Sequence, residues 1–240
     1  MKERRLSAVP RIVLIALGLA LCGQILMSRF ADSARTNTAD LSPPPPLSVL
    51  QLAGFGDPVP VGKLLMLYVQ AFDLRASNPI PYQALDYDAL TGWLGSILEL
   101  DQTGQYPLHA ASRIYAPVQD PGKTRKILEF IYAEFYKDPN RRWAWLAESA
   151  VMAKHQLRDL PLAQRYAAAV QQYATGTDVP LWAKQMNAFI LEDMNELEQA
   201  KIMIGGFIAS GQVKEPGELQ LLEQRLQEIE QRARQSAPKP

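Results

Sequence analysis

From Pro58 onward apolar residues recur at spacings of three and four, and no stretch sustains the two-residue alternation of a half-buried strand. An all-α body is expected. The pattern predicts helices over 58–74, 86–100, 107–116, 121–137, 140–157, 160–174, 180–193, 196–210 and 216–234. Asp138-Pro139, Val179-Pro180 and Glu215-Pro216 mark starts, because proline fits the first turn of a helix but cannot continue the helix before it.

These prolines and Pro107 stand 32, 41 and 36 residues apart, and a period in the thirties marks stacked helical hairpins. Trp145 follows Pro139 by six residues. Pairs at a spacing of four, Lys126 with Phe130, Ala163 with Ala167 and Ala200 with Ile204, fall on the second helix of each unit. Asn195-Glu196-Leu197-Glu198-Gln199-Ala200 reads as a turn into such a helix. In these features residues 101–235 resemble a tetratricopeptide-repeat array. The pattern departs from that family at Ser149, which stands where glycine is usual, at the overlong unit from 140, and at Met186 in place of tryptophan. The alternative is an irregular helical bundle. A hairpin with apolar residues on both helices must be covered by neighbours, and the last unit needs a polar outer face. In the final helix Leu219, Leu222, Leu226 and Ile229 share one side, while Glu218, Gln220, Glu223, Gln224, Arg225 and Glu228 are expected to face away. It is either the cap of the array or one strand of a short coiled coil.

The N-terminal end is different in kind. Lys2, Arg4, Arg5 and Arg11, against Glu3, precede Ile12–Met27, sixteen residues without charge. The segment reads as a basic cytoplasmic stretch over 1–11 and a transmembrane signal anchor over 12–30, with a cleaved signal peptide as the alternative. Leu19-Ala20-Leu21-Cys22 approaches a lipobox, but Leu21 is large where that motif needs a small residue. The charge balance puts the N-terminus in the cytoplasm and the body in the periplasm of a bacterium. Residues 31–57, with Pro43–Pro46, are read as an extended Pro-rich spacer, 58–235 as the helical domain and 236–240 as a disordered tail.

Composition removes several functions. Lys and Arg number 25 and so do Asp and Glu, which takes away the electrostatic case for nucleic acid. Two histidines, His109 and His155, and one cysteine are too few for a zinc site, so no metal or cofactor is expected. No phosphate-cradling or nucleophile-elbow motif is present, and Gly205-Gly206 is read as permitting close helix packing. Glu192, Asp193, Glu196 and Glu198 surround a helix turn, where polarity is expected. Lys123, Arg125 and Lys126, with Arg141 and Arg142, form the densest basic region and are read as a solvated face.

The resemblance implies a non-enzymatic, membrane-anchored scaffold or chaperone-like factor of the cell envelope, a monomer or weak homodimer that binds other proteins. In tetratricopeptide arrays the first helix of each hairpin lines a groove. Matching Trp145 to the family's tryptophan places Trp143 and Lys154 toward it, and the same offset from Pro180 adds Lys184 and Asn187. An aromatic anchor with two ammonium groups and an amide suits an extended peptide with an acidic group or C-terminal carboxylate. The competing expectation is a cell-wall or polysaccharide-modifying enzyme, or its accessory subunit, with Glu148 of Glu148-Ser149 as the acid.

Overall fold

A computed structural model describes residues 11–34, 41–71 and 82–236. The described residues contain helices and no strand. They fall into two units, one reaching Leu41 and the other starting at Ser42. In the first unit, α1 runs from Arg11 to Ala34. Its apolar side chains from Ile12 to Ile25, where described, are exposed, Ile12 by 80% and Leu19 by 69%. Among the described residues no helix is long and apolar enough to cross a membrane. The anchor expected over 12–30 therefore rests on the sequence.

The second unit is a succession of packed helices: α2 (Leu47–Ala53), α3 (Pro58–Gln70), α4 (Tyr87–Leu100), α5 (Tyr106–Ala110), α6 (Pro121–Phe135), α7 (Pro139–His155), α8 (Leu160–Tyr173), α9 (Leu181–Asp193), α10 (Leu197–Ala209) and α11 (Pro216–Ser236). A π-helical turn over Ala111–Tyr115 prolongs α5. The spaced prolines have a common meaning. Pro139 and Pro216 are the first residues of α7 and α11, Pro107 the second of α5, and Pro180 the N-cap of α9. Each opens every second helix, and α5, α7, α9 and α11 are joined in turn by side-chain bonds, α5 to α7 (Trp145 to Gln105), α7 to α9 (Lys154 to Asp193) and α9 to α11 (Gln185 to Glu218).

Small side chains set the close packing of the middle hairpin. Ala147, Ala150 and Ala153 of α7 and Ala163 and Ala167 of α8 are all buried. Ser149 is also fully buried, and its hydroxyl donates back to the Trp145 carbonyl at 2.8 Å, so it fills the glycine-like position without an unmet polar group. Ala200 and Ile204 are fully buried on α10, as their spacing predicts. Lys126 breaks that series. It is 42% exposed and paired with Asp88, and the core positions of α6 are Thr124, Ile127, Leu128 and Ile131. Gly205 and Gly206 do not serve packing either, since a Cβ at each would meet nothing within 4 Å.

α11 closes the stack. Leu222 and Ile229 are buried against α9 and α10, with Leu219 and Leu226 beside them. Two of its residues expected to face solvent instead bind α9: Glu218 accepts from Gln185 at 3.0 Å and Arg225 donates to Glu192 at 2.7 Å. Glu192 is 5% exposed and takes a second arginine, Arg232, at 2.6 Å. The polarity expected at this turn is thus, at Glu192, a buried ion-pair centre.

Residues 42–57, read as spacer, belong to the body. Pro46 has polyproline geometry (φ −53°, ψ 140°). Pro44 and Leu47 are half-buried while Pro43, Pro45 and Pro46 are exposed, the period of three that this helix imposes. The Trp93 indole donates to the Ser42 carbonyl at 2.7 Å, and Tyr68 lies 5.3 Å from the Trp93 ring. Gly92 admits Pro44, whose Cδ would lie 3.2 Å from a Cβ. The prolines are thus a strap on α4. α2 follows it, inserting Leu50 into the core.

Candidate partner-binding face

The α5–α7–α9 row is held by its flanks. On α7, Trp143 and Trp145 are two residues apart and so about 200° apart around the helix. Trp145 turns to α5: its indole donates to Gln105 Oε1 at 2.8 Å and its ring meets His109 edge-on at 5.6 Å. His109 stacks in turn on Tyr106 at 5.8 Å. Trp143 turns the other way and meets Trp182 of α9 edge-on at 5.5 Å. Between these flanks the half-buried Ala144 and the exposed Val151 and His155 form an open strip on α7. Tyr106, Val151 and Trp182 are each about half exposed, at 50%, 48% and 53%. The row therefore offers aromatic edges to solvent on both sides of a strip of mixed character, in which Glu148, paired with Arg113, lies between Ala144 and Val151.

The predicted groove residues divide. Trp143 lies on this face as half of the Trp143–Trp182 pair. Lys154, on the same flank of α7, pairs with Asp193 at 2.5 Å, so its charge is matched within the protein. Lys184 is half-buried on α9. Asn187 is not on the face. It is 5% exposed, donates to Gln171 Oε1 at 2.8 Å and accepts from Gln164 at 3.4 Å. The reason is register: Asn187 stands 41 residues after Leu146, the same offset as Pro180 from Pro139, and Leu146 is a core residue.

Glu148 is committed on both oxygens. Oε1 meets Arg113 Nε at 2.7 Å and Oε2 accepts from the Ser112 hydroxyl at 3.1 Å, both partners lying on the π-helical turn. The wider turn carries Arg113 across to α7, and the Ala116 amide closes it on Ala111 at 2.8 Å. Among the described residues no group of His, Cys, Asp or Glu is placed to hold a metal.

Arg125, Lys126 and Arg141 of the basic region are exposed, as expected of a solvated face, while each residue of the region also ties to a neighbour and Arg142 is buried. Lys123 donates to the carbonyls of Gln83 and Leu85 at 2.6 and 3.0 Å. Arg125 joins α6 to Asp159 at the start of α8, at 2.5 Å. That guanidinium, with the Leu162 amide, holds the Asp159 carboxyl below its ordinary range. Arg141 pairs with Asp138 at 2.8 Å. Arg142 is 3% exposed and binds the buried Glu134 at 2.8 Å, with the Glu134 carbonyl at 2.7 Å. Further along α6 and α8, Arg165 pairs with Glu129 and lies over the rings of Tyr132 and Tyr166. Burial, and the hydroxyl bond and charge of Tyr132, push the Tyr136 phenol above its ordinary value.

The sequence reading passed over Trp182 and Gln105. Trp182 had a signal, a large aromatic two residues after a helix-opening proline. Gln105 had none, because its partner is 40 residues away. No protein-family model matches the chain, and neither curated proteins nor solved structures gave a match.

Proposed function

We propose that this chain is a non-enzymatic scaffold of the bacterial cell envelope, held at the membrane by its N-terminal segment and binding other proteins with the α5–α7–α9 face of a tetratricopeptide-like stack. The observation that carries the binding role is the aromatic pair of the half-exposed Trp182 and the more buried Trp143, flanking the open strip of Ala144, Val151 and His155. Exposed aromatic rings fixed by packing lose little freedom on binding and bury large areas, the usual anatomy of an interface anchor. Repeats opened by Pro107, Pro139, Pro180 and Pro216 support the tetratricopeptide likeness. The membrane reading is supported by the four basic residues before sixteen uncharged ones. An extended peptide bearing a carboxylate suits the face, with Lys184 and the rim pair Lys154–Asp193 as its polar edge.

A photo-crosslinking side chain at Val151 in the living cell should capture a discrete partner, and Trp182→Ala should abolish that product. Lys154→Ala with Lys184→Ala should leave thermal stability nearly unchanged, since the Lys154 pair is partly exposed, and weaken capture in a salt-dependent way. Capture that survives all three substitutions, with the protein still folded, rejects this face. A reporter active only outside the cytoplasm, fused after Pro240, should be active. Activity of a cytoplasmic reporter there would reverse the topology.

A further inference from the structure

The turn between α2 and α3 holds a phenylalanine where the fold has no use for one. Phe55 is 98% exposed and sits in the left-handed region, φ +48°. That conformation is costly for a bulky side chain, and Phe55 recovers nothing from packing. The turn is nevertheless tightly specified. Gly54 is needed because a Cβ there would lie 2.7 Å from the Asp57 carbonyl, and Gly56 because its φ is +100°. The Phe55 amide donates to the Leu52 carbonyl at 3.2 Å, and the Asp57 amide to the Gly54 carbonyl at 2.9 Å. A strained, fully exposed aromatic on a hydrogen-bonded turn points to a use outside the fold.

Its neighbours share that character. On α2, Val49 and Leu52 are 54% and 79% exposed, one helical turn apart and leading to Phe55. From Leu41 to Ala71 the only charged residues are Asp57 and Lys63, and Asp57 caps α3 by accepting from the Val59 amide at 3.2 Å. We propose that Val49, Leu52 and Phe55 form an apolar foot that enters the hydrocarbon edge of a lipid bilayer, chosen for its apolarity and not for headgroup charge. This rests on the membrane attachment proposed above. Two observations favour lipid over a second protein surface. Val49, Leu52 and Phe55 offer on the order of 400 Å², well below the roughly 800 Å² per partner of a stable interface, and the exposed Leu64 and Leu67 of α3 add apolar area without the polar rim a protein surface would meet. Only residues 35–46 separate the end of α1 from the start of α2, so an α1 held in the membrane keeps the foot at high effective concentration beside it, where a weakly inserting apolar face suffices.

The test uses the full chain with Cys22→Ser, in nanodiscs of phosphatidylcholine. A spin label on Leu52→Cys should collide with dissolved oxygen and be shielded from a water-soluble nickel chelate, whereas a label on Val151→Cys should show the reverse. Phe55→Asp, a residue that tolerates this backbone, should move the Leu52 label into water while a label on Leu17→Cys of α1 stays in lipid. Adding phosphatidylglycerol or salt should leave the Leu52 result unchanged. A Leu52 label as open to nickel as that at Val151, with the Leu17 label in lipid, overturns the foot and leaves the anchor standing. Both labels in water overturn both. Dipolar coupling between Leu52 labels of two chains means that a second copy covers this face, and the inference is then wrong.

Discussion

The surface of α6 and α8 and the surface of α2 and α3 are both rich in large apolar or aromatic side chains, yet they are finished in opposite ways. On α6 and α8, Tyr132, Tyr136, Tyr166 and Tyr173 pack ring to ring, with Arg165 over two of the rings and the ion pairs Arg165–Glu129 and Arg125–Asp159 nearby. Each charge there has a partner on a neighbouring helix, so the surface is spent on the stack itself. On α2 and α3, Val49, Leu52, Phe55, Leu64 and Leu67 are each more than half exposed, and only Asp57 and Lys63 bring charge. Apolar surface of one kind has been closed by polar ties and that of the other left open. Exposure alone does not tell the two apart; the number of charges committed nearby does.

The sharpest way to break this contrast is to remove a tie from the stack. Arg142→Met leaves the buried Glu134 without its main partner and should cost about 3 kcal/mol in denaturant unfolding, Lys137 at 2.7 Å limiting the loss. An unchanged midpoint would mean that the ties are ornamental. Glu192→Ala comes next, at about 2 kcal/mol, because it strands Arg225 and Arg232, both partly exposed and able to rehydrate. Its effect should be local: hydrogen exchange should accelerate in α11 and leave α7 and α8 protected.

In the open region the sign should invert. Phe55→Gly relieves the positive φ and removes no buried contact, so stability should hold or rise by up to about 1 kcal/mol. A clear loss would show that Phe55 does serve the fold. The smallest effect concerns pH. Asp159 has a folded-state pKa below its ordinary 3.8, so its contribution is fully present above that value and fades as pH falls through the lower folded one. Asp159→Asn should flatten the acid limb of the stability profile below about pH 4.

Much of the stack was legible in the chain because its determinants are local. Helix starts follow from proline and capping chemistry, and the buried positions of α8 and α10 follow from spacing, so residues such as Ala163 and Ile204 were found from sequence. What could not be read is what depends on partners far along the chain. Glu192 looks like an ordinary turn carboxylate until Arg225 and Arg232 are brought to it from α11. Lys126 sits at a repeat position yet faces outward to Asp88, and the ties of the basic cluster cannot be seen along the chain because their acceptors are distant. The proline run was misread for the same reason, since an extended strap and a free spacer have one composition and it is the distant Gly92 and Trp93, the latter 51 residues from Ser42, that distinguish them. Trp143 lies beside Trp182 on the candidate face, whereas Asn187 was carried to a core register by an offset that ignored Leu146.

The order of packing has a consequence for how the molecule is made. The principal contacts of every helix from α2 to α11 are with helices one or two places away in the chain. Native contacts are therefore short in sequence, which places the body among fast-folding topologies and lets structure grow from any nucleus. Such a chain can acquire structure while it is still emerging, each new hairpin settling on the one before, and an interrupted chain would lack its last helices and keep the rest. The Trp93–Ser42 bond and the ties around Glu192 act as latches, one at each end of the growing stack.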